Sequence, residues 1–129
     1  MGKLKILLIE DEEFQTKFME MKLNSFKLNH ELISFMSCRE GLAYLSQPES
    51  TLPHLILLDL HVGEESGLDF LEAMKQDERL KEIPVIVHSA TDLKEDIVNS
   101  YRLGGAHFLP KGKGDHLLLE TINHMKTCL

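Results

Sequence analysis

No stretch of this sequence approaches the 18 or so apolar residues that a bilayer-spanning helix needs, and no basic segment leads into an apolar one near Met1. Neither a membrane span nor a secretory signal is written in it, and the expectation is a soluble, cytoplasmic protein. Cysteine is scarce: Cys38 and Cys128 lack the C-x-x-C or zinc-finger spacing of a redox or metal site and read as ordinary reduced thiols. Positive charge is also in deficit. With 14 Lys+Arg against 21 Asp+Glu, the formal net charge of -7 disfavours nucleic-acid phosphates and anionic membrane surfaces as direct partners and favours a protein. None of the seven histidines is spaced H-x-x-x-H, and His54, His88, His107 and His124 fall on different segments, as structural or surface residues do.

What is present suffices for one core. Apolar residues make up 43% of 129, which fits a single domain over residues 1–129. Leu4 to Ile9 is a short apolar run bounded by charge, the pattern of a strand covered on both faces. Phe14, Phe18 and Met21 recur at i, i+4 and i+7, predicting a first helix with these three on its apolar face. Glu31 to Ser37 reads as strand two, and Arg39 to Ser46 as a short helix ahead of the Pro48 to Pro53 loop. Leu55 to Leu58 is strand three, followed by a polar, glycine-bearing loop from His61 to Gly67. Ser66 with Asp69 predicts a capping box for helix three, whose apolar face is Leu68, Leu71 and Met74. Val85 to His88 is strand four. Asp92 with Glu95 predicts a second box, for a helix that shares Leu93, Ile97 and Tyr101 on one face and stops at Gly104-Gly105. Ala106 to Leu109 is strand five, and Leu118, Ile122 and Met125 mark a last helix from Asp115. Strands alternating with helices require parallel pairing and right-handed crossovers. The predicted class is therefore α/β: a doubly wound, five-stranded parallel sheet with five helices on its two faces.

The functional crevice of such a fold lies beyond the carboxyl ends of its strands. Strand one ends in Glu10-Asp11, strand three in Asp59, strand four in Ser89-Ala90 and strand five in Pro110-Lys111. Three carboxylates on one rim repel one another, so they require raised pKa values or a bound cation. Oxygen donors alone favour a hard ion, Mg2+, held by Glu10 and Asp11. Phosphoryl transfer needs a positioned nucleophile and positive charge near the equatorial oxygens. Asp59 is the nucleophile in this reading, Mg2+ and Lys111 neutralise phosphoryl oxygens, and the Ser89 hydroxyl donates to one of them. Carboxylates are established nucleophiles in forming aspartyl phosphates, so no separate base is needed. Glu12 and Glu13 read as first-turn acids that suit the helix dipole.

These residues resemble the receiver domain of two-component response regulators, the chemotaxis-Y-like, flavodoxin-like fold, over nearly the whole chain. The resemblance rests on Ile9-Glu10-Asp11-Glu12, on Leu57-Leu58-Asp59-Leu60 with Ser66-Gly67-Leu68 downstream, on Ser89-Ala90 thirty residues after Asp59, and on Lys111 fifty-two after it. It implies that Asp11 and Asp59 bind Mg2+ directly, Glu10 binds it through water, and the main-chain carbonyl of His61 completes the protein ligands. It places Ser89 and Phe108 at switch positions, although Phe108 also reads as core packing. It also places His61 and Thr91 beside the path of the hydrolytic water, where they would tune the lifetime of the phosphoryl group. The implied partners are a histidine kinase or histidine phosphotransfer protein and an output engaged through helix four, strand five and helix five, with room for a homodimer on phosphorylation. The implied role is a switch, not a turnover enzyme. The chain departs from the family at several positions: Val62-Gly63 replaces the common Met-Pro, leaving the loop less stiff, and Gly112 replaces the proline after the lysine, leaving the usual cis peptide open. Glu10 for Asp and Ser89 for Thr are mild changes that preserve the chemistry. Lys113, between Gly112 and Gly114, is an alternative to Lys111.

Other classes fit less well. A dinucleotide- or flavin-binding enzyme needs glycines in the first turn to cradle phosphate, where Glu10 to Glu13 would repel it. A haloacid-dehalogenase-like phosphatase wants a second acid two residues after the nucleophile, where this chain has His61. Intact Glu10, Asp11, Asp59 and Lys111 argue against a receiver used purely for docking.

Overall fold

Strand β1, Leu4–Ile9, is buried at every position, because helices cover both faces of the sheet in which it lies. The computed structural model describes residues 2–48, 51–91, 93–105, 107–112 and 115–126. The order continues as α1 Glu13–Ser25, β2 His30–Phe35, α2 Cys38–Leu45, β3 Leu55–Leu58, α3 Gly67–Lys75, β4 Val85–Ser89, α4 Lys94–Arg102, β5 His107–Pro110 and α5 Asp115–Lys126. All pairs in the five-stranded sheet are parallel, in the order β2-β1-β3-β4-β5. This is the flavodoxin-like doubly wound arrangement, and its strand order reverses between β1 and β3.

Alternation along the strands divides the core. Leu4, Ile6, Leu8, Leu55 and Leu57 face Met19 and Leu23 of α1 and Leu118, Ile122 and Met125 of α5. Leu7, Ile9, Ile56 and Leu58 face α2 and α3, where Leu45, Phe70, Leu71 and Met74 are fully buried. Each such side chain contributes about 1.5–3 kcal/mol by leaving water, so the strand ends project from a well-anchored base. Lys5 interrupts the β1 run without breaking it: its stem is buried while Nζ donates to Tyr44 Oη at 2.7 Å and to the Thr51 carbonyl at 2.6 Å.

One predicted apolar face is turned outward, and a second, on which Ile97 is half-buried, is only partly covered. In α1 the core face is Met19 and Leu23, whereas Phe14, Phe18 and Met21 are exposed. The periodicity was helical but lay on nearly the opposite side from the buried stripe, because the polar Gln15 and Thr16, rather than Phe14, share the inward side with Met19 and Leu23. In α4 the buried residue is Ser100, and Leu93 and Tyr101 of the predicted face are exposed. The start of α4 differs too. Its N-cap is Leu93 with no side-chain cap bond, and Asp92 of the expected box lies outside the described residues. The glycine stop is as expected: Gly105 N–H donates to Ser100 O at 2.7 Å and Gly104 N–H to Tyr101 O at 3.1 Å, a Schellman motif with Gly104 at φ +104°. Ser66 caps α3 by accepting from Leu68 N. The segment read as loop between β3 and α3 contains a short antiparallel ladder, His61–Val62 with Glu65–Ser66. Val62 is buried there, which fixes the ladder to the core.

Candidate functional site at the carboxyl ends of the strands

Two main-chain bonds extend the sheet just past the strands and place the first carboxylates. Glu10 N–H donates to Phe35 O at 3.1 Å and Asp59 N–H to Ile9 O at 3.2 Å, beside the point where the strand order reverses. Lys111 N–H donates to Ser89 O at 2.9 Å, which continues the β4–β5 ladder and delivers the lysine to the same rim. There Lys111 Nζ donates to Glu10 Oε1 at 2.7 Å and to Asp59 Oδ2 at 2.8 Å. All three side chains are largely buried. The repulsion expected between the carboxylates is thus relieved by the lysine ammonium itself. Burial pushes the Glu10 carboxyl above its ordinary value, against the lowering effect of the Lys111 hydrogen bond and charge. Burial works against the Lys111 ammonium as well, but its bonds to Asp59 and Glu10 outweigh that and raise its pKa. Among the described residues no peptide bond is cis, and Gly112 adopts φ +77°. Lys113 lies outside the described residues, as does Cys128. Cys38 is buried, with its thiol pushed up to about 12 by desolvation and then by neighbouring carboxylates, so it stays protonated.

Asp11 is not drawn to Lys111. Its Oδ2 accepts from Gly63 N–H at 2.8 Å, at the tip of the ladder after Asp59. Asp59 Oδ1 accepts from His61 N–H at 3.1 Å, so both Asp59 oxygens are oriented. Carboxylate oxygens of Glu10, Asp11 and Glu12 lie within 4.8 Å of one another. Glu12, read from sequence only as a dipole-favoured acid, therefore belongs to the same cluster. An all-oxygen donor set of net negative charge beside Asp59 fits a hard divalent ion such as Mg2+ and offers nothing to a soft one.

The other predicted residues form a second group. The buried Ser89 hydroxyl accepts a long contact of 3.4 Å from Thr91 N–H. Thr91 Oγ1 donates to Asp96 Oδ2 at 2.9 Å, and the same oxygen lies 3.6 Å from His61 Nε2. The two residues beside the expected water path are thus joined through Asp96 in the first turn of α4. Phe108 is half-buried against the α2–α3 side of the core, and its N–H donates to Tyr101 Oη at 3.1 Å. Gly63, Glu65, Asp96 and Tyr101 were not singled out from sequence as site residues. For Asp96 a signal existed, an acid in the first turn of the helix next to the rim; for Glu65 and Gly63 the signal was only the absence of the usual Met-Pro.

Comparison with known proteins agrees with this geometry. Residues 6–123 match the family model described as response regulator receiver domain. Response regulator Rcp1 of Synechocystis sp. is 33% identical over 112 residues, covering 84% of this chain and 76% of Rcp1. The polar-differentiation response regulator DivK of Brucella ovis is 30% identical over 117 residues, covering 91% of each. The crystal structure of the phosphorylated cyanobacterial phytochrome response regulator RcpA superposes with a TM-score of 0.82 at 29% identity, over 97% of this chain and 92% of that one. The Mn2+-bound form of Rcp1 gives 0.80 at 30% identity, over 95% and 91%. A parallel 2-1-3-4-5 sheet, a buried lysine bridging carboxylates at its switch point and a family match over most of the length lead to one conclusion: the chain belongs to the response regulator receiver domains, signalling modules rather than turnover enzymes.

Proposed function

We propose that residues 1–129 act as one receiver domain in which Asp59 accepts a phosphoryl group from a histidine kinase or histidine phosphotransfer protein. The observation that carries this reading is the Lys111 ammonium held on Asp59 Oδ2, positive charge placed where phosphoryl oxygens would arrive. An Asp59 oxygen attacks phosphorus, the new O–P bond forms as the donor's N–P bond breaks, and the departing imidazole takes up a proton. Lys111 stabilises the transferring group, and the Ser89 hydroxyl, buried beside the rim, meets one of its oxygens after a small loop movement. Mg2+ would be held by Asp11, Asp59 and the main-chain carbonyl of His61 directly and by Glu10 through water, supplying further neutralisation of the phosphoryl oxygens. A relative solved with Mn2+ and another solved phosphorylated are consistent with this chemistry. Asp59 loses the group again by hydrolysis, tuned by His61 and Thr91, and the change is passed on through α4, β5 and α5, with Ser89 and Phe108 as switch residues. The cytoplasm is the compartment where such kinases work, and among the described residues no helix is long and apolar enough to cross a membrane. The test is intact-mass measurement after incubation with a small phosphodonor and Mg2+. Wild type should gain one phosphoryl group and Asp59→Asn none; equal incorporation in the two would overturn the assignment.

A further inference from the structure

The ladder after Asp59 is tied to a neighbouring helix by one side chain. Glu65 reaches across to the first turn of α2, where Oε1 accepts from Cys38 N–H at 2.8 Å and Oε2 from Arg39 N–H at 3.1 Å. These are helix-end donors with no partner inside the helix, and a carboxylate there is favoured both by charge-assisted bonding and by the helix dipole. Ser37 Oγ separately caps Glu40 N–H at 3.1 Å. Glu65 pairs with Val62, and between them the chain turns through Gly63 at φ +60°, aiming its N–H at Asp11 Oδ2, 2.8 Å away. The proline common at this place in the family lacks that N–H and cannot adopt that φ. The contact to Asp11 exists because glycine stands there.

We propose that Glu65 is a positioning residue for the divalent-cation site. By clamping the ladder to α2 it keeps the Gly63 N–H on Asp11 and so fixes the rotation of that carboxylate against Glu10 and Glu12. A loop that the family stiffens with proline is here stiffened by two side-chain bonds at its base and one main-chain bond at its tip. The inference rests on the reading of Glu10, Asp11 and Asp59 as the cation site.

Two measurements separate this role from simple capping of α2: hydrogen exchange of the Gly63 amide by NMR without metal, and Mg2+ affinity by calorimetry. Glu65→Ala should speed exchange at Gly63 and weaken Mg2+ binding about tenfold, the lower end of what partners orienting metal ligands control. Glu65→Gln, which keeps one acceptor oxygen, should fall between Glu65→Ala and wild type, and it carries the test should the alanine variant not fold. Ser37→Ala, which also removes an α2 cap but leaves the ladder alone, should change neither quantity. Wild-type exchange and affinity in both Glu65 variants, or equal effects from Ser37→Ala, would overturn the proposal. Absence of Mg2+ binding by wild type would instead overturn the cation-site reading, while the metal-free exchange comparison would still decide whether Glu65 positions Gly63.

Discussion

Replacing Lys111 by methionine keeps most of the side chain and removes the ammonium from between Glu10 Oε1 and Asp59 Oδ2, 2.7 and 2.8 Å away. The two carboxylates it leaves have side chains only 4% and 11% exposed, so water replaces little of the lost interaction. Removing one member of a buried ion pair costs about 3–5 kcal/mol, and a site on the rim of a sheet belongs at the lower end, about 3 kcal/mol. At roughly 4 °C per kcal/mol for a domain of this size, the midpoint of unfolding at neutral pH should fall by about 12 °C. The pH dependence has a definite sign. Burial already raises the Glu10 pKa above 4.5 in the presence of Lys111; without it the hydrogen bond and charge that opposed the rise are gone, while repulsion from Asp59 remains. A group with a raised folded-state pKa contributes stability that is present below its unfolded value and is lost as pH rises through the folded one. The deficit of Lys111→Met against wild type should therefore be widest at pH 7 to 8 and narrow towards pH 5. Wild-type Lys111, whose pKa is raised above 10.5, remains charged throughout this window. Urea unfolding from pH 5 to 8 measures the difference. A deficit below about 1 kcal/mol at pH 7, or one independent of pH, would refute the claim that Lys111 neutralises this pair.

Asp11→Ala should weaken Mg2+ binding in calorimetry by at least about tenfold while leaving the fold intact, since Asp11 is a partly exposed rim residue. Gly67→Ala would set a Cβ 2.6 Å from the Asp59 carbonyl oxygen and 2.8 Å from Leu60 Cα, both main chain, so it should lower stability by about 1–3 kcal/mol in urea unfolding and displace Asp59 itself. Asp96→Ala removes the acceptor of the Thr91 hydroxyl and the carboxylate beside His61 Nε2, so loss of the phosphorylated mass after donor removal should change several-fold, about 1 kcal/mol in barrier. His61→Ala should alter that decay as well, and should have less effect in the Asp96→Ala background, because the same contact is already broken.

Elements whose inward residues were apolar were legible in the sequence. β3 has the predicted bounds, and Leu118, Ile122 and Met125 are the buried face of α5. Where the pattern misled, a helix carried apolar residues on the outside: Phe14, Phe18 and Met21 on α1, and Tyr101 on α4 with Leu93 at its cap, satisfy a helical period without facing the core. Periodicity reports that a stripe exists, not which side of the helix is covered. The rim was legible because the topology requires every parallel strand to deliver its end to one edge. The ties between loops were not, because Glu65 to α2 and Asp96 to Thr91 depend on side-chain reach across segments far apart or irregular in backbone. The lysine bridge lay between these cases: Lys111 was identified as fixed positive charge at the rim and the pKa of the Glu10 carboxyl is raised, by burial and then by its neighbour Asp59, but direct contact of one ammonium with both Glu10 and Asp59 was not foreseen.

That bridge determines what phosphorylation would disturb. An ammonium has three N–H donors, and Lys111 places two of them on Glu10 and Asp59. A phosphoryl group on Asp59 would bring about -1.5 to -2 charge to the site and compete with Glu10 for the same ammonium. Because Lys111 N–H is already bonded to the Ser89 carbonyl, a lysine drawn towards the phosphoryl oxygens would carry the ends of β4 and β5 with it. Ser89 is two residues from Thr91, which holds Asp96, so such a displacement would pass into the first turn of α4. On its outer side α4 exposes Val98 and Tyr101, with Leu93 just before it, while Tyr101 Oη holds the N–H of Phe108 in β5. The helix that would receive the movement thus carries apolar surface to offer a partner, as α1 also does, and its contact with β5 would make the two shift together. These connections support the proposal of an output engaged through α4, β5 and α5, because a charge added at Asp59 would have a hydrogen-bonded route through Lys111, Ser89 and Thr91 to the first turn of α4.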